Sequence, residues 1–253
     1  MKENTFSIII PTHNRQEQIM AAVKAVLNQT YKVFELIVID DGTYPVPIDI
    51  YNIQDPRLII IRRNVRHQRV IARNMGMQVA RHEWLCWGDD DDLHEPTYLE
   101  KFNDAINTDP EDDIGVWQCA AQFYKMIDGK EVKVRLLPPM VFYEDIRFKH
   151  LDDGLGVYPY FPSGRITTGQ FIFRKDCLRT IGYMPYVWTA GDFAVKGGVP
   201  GYGWLDPQPP RFLEKRCQVM GNPWGEDYFI MYQLARYFKI GSINDVLYRK
   251  GCR

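Results

Sequence analysis

An excess of charge of either sign is missing: 31 Lys and Arg stand against 32 Asp and Glu, a formal net charge of −1. With no surplus of cations to displace counter-ions from phosphates, nucleic-acid binding is disfavoured. Cysteine is scarce. The five present (Cys86, Cys119, Cys177, Cys217, Cys252) are scattered without a Cys-x-x-Cys pair, which argues against a disulfide framework and a zinc site and points to reduced thiols. No apolar run approaches the roughly 20 residues that cross a bilayer, and the opening MKENTFSIII lacks the long apolar core of a leader. The expectation is a cytoplasmic protein without a transmembrane segment, with peripheral membrane contact left open. Repeats and low-complexity stretches are also lacking. What is there, 253 residues at 45% hydrophobic, 25% charged and 13% aromatic, suits one large α/β domain or two small ones with a core that needs no staples.

The chain opens on a continuous apolar run at residues 6–10 that stops at Pro11-Thr12-His13-Asn14-Arg15, as a buried strand entering a loop should. Asn14 followed by Glu17 has capping-box spacing, and Ile19, Ala22, Val23, Val26 and Leu27 recur with helical period. Further strands are predicted at 36–39, 58–61 and 83–87, with a helix carrying Ala72, Met75, Gly76 and Val79 between the last two and another at 96–106. An apolar stretch follows at 114–121, then an alternating edge strand around Val132 and Val134, a return to the sheet at 167–173, a helix at 227–238 and a last strand at 240–248. This order is that of a doubly wound, mostly parallel sheet flanked by helices. Such sheets bind ligands at the carboxyl ends of their strands. Residues 184–225, rich in glycine, proline and aromatics, read as a long functional loop.

Two acidic clusters fall at strand ends, Asp40-Asp41-Gly42 and Asp89-Asp90-Asp91-Asp92. Like charges this close repel unless a cation sits among them, and hard oxygen ligands suit Mg²⁺ or Mn²⁺, which complete their shell with water and phosphates. The competing reading of each cluster is a solvated turn. An EF-hand is excluded because Leu93 holds the fifth position and no glycine follows. Thr12, Asn14, Arg15, Arg66, Arg69 and Arg73 lie where neighbouring loops would add polar contacts, although a surface role competes for each arginine.

Taken together, Ser7-Ile-Ile-Ile-Pro-Thr-His-Asn-Arg15, Leu27-Asn-Gln-Thr-Tyr31, Phe34-Glu-Leu-Ile-Val-Ile-Asp-Asp-Gly42, Ala72-Arg-Asn-Met-Gly76 and Asp89-Asp-Asp-Asp-Leu-His-Glu-Pro96 resemble glycosyltransferase family 2, with the GT-A fold of nucleotide-diphospho-sugar transferases. The resemblance implies one domain over 1–253, with 1–110 binding the nucleotide sugar and 111–253 the acceptor. It implies that Asp41 meets the nucleobase and that Pro11, Thr12, Asn14, Arg15, Arg69, Arg73, Asp89 and Asp90 line the donor site. Asp89 and Asp91 become the outer residues of a DxD motif holding Mn²⁺ or Mg²⁺, with Asp91 the direct ligand. Thr168-Gly-Gln-Phe-Ile-Phe-Arg174 resembles the family's acceptor-side strand, and Gly225-Glu226-Asp227 its acidic motif, with Asp227 the catalytic base and Glu226 positioning.

The chemistry so implied is inverting, metal-dependent, nonprocessive sugar transfer from a nucleotide sugar, UDP-linked by preference, to a carbohydrate, lipid-linked or protein hydroxyl in polysaccharide or glycoconjugate synthesis. Trp188, Trp204 and Trp224 offer flat faces to that acceptor, or else pack the loop onto the domain. Three features depart from the family pattern. The interval 182–226 is long, no histidine follows His150 to serve as a further metal ligand, and Gln233-Leu-Ala-Arg-Tyr237 reads as a helix face rather than a processive-synthase motif. A sugar-phosphate nucleotidyltransferase is disfavoured because the first strand leads into no glycine-rich phosphate loop. A nonenzymatic carbohydrate-binding module is disfavoured by both acidic clusters and Glu226-Asp227.

Overall fold

The computed structural model describes residues 2–46, 48–63, 69–139, 167–184, 230–231, 234–235 and 237–251. Its strands are β1 (Phe6–Thr12), β2 (Phe34–Asp40), β3 (Leu58–Arg62), β4 (Trp84–Trp87), β5 (Leu93–His94), β6 (Ile114–Ile127), β7 (Lys130–Leu137), β8 (Phe171–Arg174) and β9 (Lys239–Lys250). Its helices are α1 (Gln16–Leu27), α2 (Ile48–Tyr51), α3 (Arg69–Val79), α4 (Tyr98–Ile106) and α5 (Leu178–Ile181). The strands form one sheet in the order β3-β2-β1-β4-β8-β6-β9-β5, with β7 paired to β6. The first four strands are parallel to one another, β8 is antiparallel to both β4 and β6, and β9 is parallel to β6. Two antiparallel steps restore direction, so β9 runs the same way as β4 and brings its carboxyl end to the same rim.

The runs are apolar without alternation because both sheet faces are covered. Ile8, Ile10, Leu36 and Val38 pack with Ile19, Val23 and Val26 of α1 and Leu99 and Phe102 of α4. Ile9, Ile37 and Ile39 pack with Val70, Ala72 and Met77 of α3 on the opposite face. A Cβ at Gly76 would come within 2.3 Å of the Ile9 side chain, so glycine lets α3 rest directly on β1. Pro11 has no N–H for a ladder. It is tolerated because its backbone turns to the β4 side, where pairing ends at Ile9 opposite Trp87.

Several expectations are corrected. The capping box is not formed: Arg15 is the N-cap of α1, without a side-chain cap bond. Asn14 instead adopts φ 55°, a left-handed turn that asparagine tolerates, and its Oδ1 accepts a bond from the Tyr44 N–H at 3.3 Å. The apolar stretch at 114 continues to Ile127 as a long strand paired with β7. At 167–173 the chain first makes a 3-10 turn over Thr168–Gln170 before β8 begins. The two-residue β5 has no sequence signal of its own and exists through its pairing with β9. Leu234 and Ala235 are buried while Tyr237 is exposed, the one-sided pattern of a helix face. Cys86, Cys119 and Cys177 are buried free thiols. The loop 184–225 lies outside the described residues beyond Met184.

One buried carboxylate ties the parallel half together. Glu35 of β2 accepts bonds from the Ser7 hydroxyl, the Arg81 backbone N–H and Arg81 Nε, each at 2.7 Å. Burial opposes its charge, but these donors outweigh burial and hold its pKa below the ordinary value. Such a group stabilises the fold above its unfolded pKa, and the contribution is lost as pH falls through the lower folded value. Glu35→Gln should therefore cost about 1–3 kcal/mol near neutrality, with the gap to wild type closing below about pH 4. Urea unfolding at a series of pH values measures this, and a gap independent of pH would assign the loss to packing alone.

Candidate functional site

The carboxyl ends of β1, β2, β4 and β9 converge on one rim. The turn after β2 is held by Asp40: its carboxylate accepts the Gly42 and Val46 N–H groups at 3.1 and 3.0 Å and the Arg62 guanidinium at 2.6 Å. Asp41, also buried, is fixed through its backbone, with its N–H bonded to the Thr12 carbonyl at 3.0 Å and His13 Nδ1 lying 2.7 Å from its carbonyl oxygen. The two aspartates thus differ in work. Asp40 closes the turn, and Asp41 is placed beside the β1 loop.

The aspartate run that follows β4 is threaded with the chain's own cations. Asp89 meets buried Arg73 of α3 at 2.6 Å through one oxygen and Lys250 at 2.7 Å through the other. The Arg73 guanidinium also lies 5.0 Å from the Trp87 ring centroid. Asp90 is buried and accepts the Thr12 hydroxyl at 2.8 Å, with Arg15 Nε at 3.6 Å. Asp91 pairs with Arg15. Asp92 accepts Lys250 at 2.6 Å, the Tyr248 hydroxyl at 3.0 Å and the Gly251 N–H at 2.8 Å. Burial works against ionisation of Asp89, but Arg73 and then Lys250 outweigh it and hold its carboxyl well below the usual range. Burial pushes Asp92 and Asp90 the other way, only partly offset by Lys250 at the first and by the Thr12 bond and Arg15 at the second. The positive charge that four adjacent aspartates demand is therefore supplied largely by Arg15, Arg73 and Lys250.

Carboxylate oxygens of Asp89, Asp91 and Asp92 lie within 4.8 Å of one another. This all-oxygen donor set fits a hard divalent ion that keeps several waters and is carried by one or two carboxylates. Asp92 is closed off, its side chain only 1% exposed, whereas those of Asp89 and Asp91 are 13% and 12% exposed.

Of the candidate residues, Pro11, Thr12, Arg15, Asp41, Arg73, Asp89, Asp90 and Asp91 come together at this rim. Asn14 is exposed in the turn just outside it, and Arg69 opens α3 at the surface with its charge reaching Asp89. Glu226, Asp227, Trp188, Trp204, Trp224 and Arg66 lie outside the described residues. Further contributors either carry no recognisable motif, as Lys250 and Tyr248, or lie inside a motif without a role of their own there, as His94, Gln29 and Asn74. Lys250 and Tyr248 arrive on β9, and His94 stacks edge-on between Tyr98 and Tyr248, with ring centroids 4.6 and 5.0 Å away. Gln29, fully buried, receives the Leu99 N–H at 3.0 Å and donates to the Glu95 carbonyl at 2.7 Å, tying α1 to the loop that leaves the acidic run. Asn74 forms a reciprocal pair with the backbone of Met184, at 2.6 and 3.1 Å.

Gly169 explains part of the second-half motif. A Cβ there would lie 1.9 Å from the Tyr248 ring, so glycine is what lets this turn lie flat against the tyrosine that anchors Asp92 and, at 3.1 Å, the Asp89 N–H. Gly169→Ala should displace Tyr248 and cost about 1–3 kcal/mol in stability from overpacking. Thermal unfolding together with the near-ultraviolet tyrosine signal checks this, and an unchanged midpoint would show that the turn can shift freely.

The sequence profile described as Glycosyl transferase family 2 matches residues 7–157. Among curated proteins, the Escherichia coli UDP-Glc:alpha-D-GlcNAc-diphosphoundecaprenol beta-1,3-glucosyltransferase WfaP is 38% identical over 94 residues, 37% of this chain and 38% of that protein. A PGL/p-HBAD biosynthesis glycosyltransferase of Mycobacterium bovis is 37% identical over 100 residues, 38% of this chain and 39% of that protein. The matched stretch thus spans well under half the length of these relatives. Among solved structures, Staphylococcus aureus TarS in complex with UDP superposes with a TM-score of 0.59 at 16% identity, over 97% of this chain and 60% of that one. Pyrobaculum calidifontis mannosyltransferase PcManGT, in complex with GDP-Man and Mn²⁺, gives 0.56 at 16% identity, over 98% of this chain and 57% of that one. These likenesses bear out the GT-A fold read from the strand and helix order. With a profile match over more than half its length and an acidic run seated at the rim of that fold, the chain belongs to glycosyl transferase family 2.

Proposed function

We propose that the protein is an inverting, metal-dependent, nonprocessive glycosyltransferase that moves a sugar from a nucleoside-diphosphate sugar to an acceptor hydroxyl in polysaccharide or glycoconjugate synthesis. The observation that carries this reading is the rim at which Thr12, Asp41 and the Asp89–Asp92 run meet Arg15 and Arg73. In it, Asp41 receives the base and ribose side of the donor, while Arg15, Arg69 and Arg73 offset phosphate charge, with Pro11, Thr12, Asn14 and Asp90 shaping the pocket. Asp91 holds a Mn²⁺ or Mg²⁺ ion directly, with Asp89 beside it. When bound, such an ion would neutralise charge building on the departing diphosphate. Asp227 removes the acceptor proton, and Glu226 positions it. The acceptor oxygen then bonds to the anomeric carbon as the bond from that carbon to the diphosphate breaks. A UDP-sugar is the favoured donor, supported by the UDP-bound TarS neighbour.

Titration calorimetry with UDP-, GDP- and dTDP-sugars, with and without Mn²⁺, tests the donor reading, and NMR of the product anomeric proton tests inversion. Release of pyrophosphate from a nucleoside triphosphate and a sugar phosphate would overturn the reading in favour of nucleotidyl transfer. The acceptor is placed on the 184–225 loop. Truncating Trp188, Trp204 or Trp224 should raise the acceptor KM severalfold and leave donor affinity nearly unchanged, since stacking of a sugar on one ring contributes about 1 kcal/mol. Steady-state kinetics with each substrate varied separates this from loss of fold, which would lower turnover and weaken binding of donor and acceptor alike.

A further inference from the structure

Lys250 stands out because no motif announces it and yet it sits at the centre of the acidic run. Its Nζ bridges Asp89 at 2.7 Å and Asp92 at 2.6 Å. The adjacent Gly251 N–H and nearby Tyr248 hydroxyl hold Asp92 from the same strand end, at 2.8 and 3.0 Å. Arg73 and Arg15 are placed differently. Arg73 is fully buried and packed over Trp87, and Arg15 pairs with Asp91 at the outer side. Lys250 is a compact point charge on a flexible stem, its side chain still 24% exposed, so it can change partners with little disturbance of the fold.

We propose that Lys250 is a resident counter-ion of the donor site that competes with the divalent ion and passes to the diphosphate when a nucleotide binds. Resting on the donor-site reading above, this adds a positioning residue acting through Asp89 and Asp92, and it makes metal and nucleotide binding interdependent. The charge balance gives the reason. Among the described residues the four aspartates face Arg15, Arg73 and Lys250, with Arg69 acting on Asp89 at longer range, so a divalent ion entering alone meets a cluster already neutralised, with Lys250 on two of the three carboxylates that would attract it. A diphosphate brings new negative charge to the same rim. Transfer of Lys250 to its oxygens frees Asp89, the more open of its two partners, to face the ion, while Asp92 stays held by Tyr248 and the Gly251 N–H, so each ligand makes room for the other.

The test uses the full chain with Lys250→Met, Lys250→Gln, whose amide keeps two donors for Asp89 and Asp92 without the charge, and Lys250→Arg. Free Mn²⁺ is followed by electron paramagnetic resonance and UDP binding by calorimetry. Removing the charge should tighten binding of Mn²⁺ alone at least about tenfold, the sign expected when a competing cation is lost. It should also weaken UDP binding measured without metal by about tenfold, while Lys250→Arg stays within about threefold of wild type in both. A purely structural role would weaken both ligands together, so unchanged or weaker Mn²⁺ binding in a folded Lys250→Gln or Lys250→Met protein overturns the proposal. Failure of the donor-site reading looks different: wild type and variants alike would then bind no UDP with or without Mn²⁺, while the Mn²⁺ comparison would still report on the competition.

Discussion

Asp91→Ala should lose about 100-fold in UDP affinity measured in the presence of Mn²⁺, a change of about 2.7 kcal/mol. The size follows from what the side chain is asked to do. A diphosphate arriving at this rim meets Asp89, Asp90, Asp91 and Asp92, and Coulomb repulsion between charges about 4 Å apart is worth several kcal/mol at the intermediate dielectric of a protein surface. The chain's own cations are already committed, Arg73 and Lys250 to Asp89, Lys250 to Asp92 and Arg15 to Asp91. On the proposed reading, an ion seated on Asp91 would add the positive charge that these committed side chains supply only by leaving their aspartates. Asp90→Ala offers an internal comparison. Its carboxylate is tied to the Thr12 hydroxyl inside the fold, so its removal should lower stability more than metal-dependent affinity. UDP affinity in Asp91→Ala that is undiminished and indifferent to Mn²⁺ would remove Asp91 from the metal site.

The fold was legible where local signals and tertiary packing agree. Ile8 to Ile10 and Leu36 to Ile39 are apolar on both faces because helices cover both faces, and the period of Ile19, Val23 and Val26 has one solution against them. Asn14 shows the opposite case. Its spacing to Glu17 satisfies a capping box, but the chain must reverse tightly at the end of β1 to reach α1, and the left-handed turn wins. The acidic run was legible as a site, but its charge balance was not. Repulsion among the aspartates implies a cation, and the chain itself supplies positive charge there, part of it from β9, 161 residues further along. Nothing local to Lys250 distinguishes it from a surface lysine. Its position follows only from the two antiparallel steps through β8 that turn the end of β9 toward the end of β4. Gln29, Asn74 and Gly169 are similar, since each lies in a recognised motif while its partner, Glu95 and Leu99, Met184 or Tyr248, is distant in sequence.

Asp227→Asn should fold, bind UDP-sugar and Mn²⁺ as wild type does, and lose at least about 100-fold in kcat. Two readings of Glu226-Asp227 compete. As an acidic pair at the start of a helix, it would stabilise the helix dipole by less than about 1 kcal/mol at the surface, which leaves turnover nearly untouched. As a base aimed at the acceptor hydroxyl, it would contribute about 10²–10⁴-fold. The following residues fit a helix presented to the core: Ile230, Met231 and Leu234 are buried against the β8 side of the sheet, in one cluster with Phe171 and Phe173. Asparagine keeps the shape of Asp227 and one acceptor oxygen but cannot take a proton at neutral pH, so the substitution isolates proton transfer from packing. Glu226→Gln should lose less, because Glu226 is assigned to positioning. Single-turnover measurements with donor and acceptor both saturating separate chemistry from product release. Normal turnover in Asp227→Asn, or a larger loss in Glu226→Gln, would move the base to Glu226 or elsewhere.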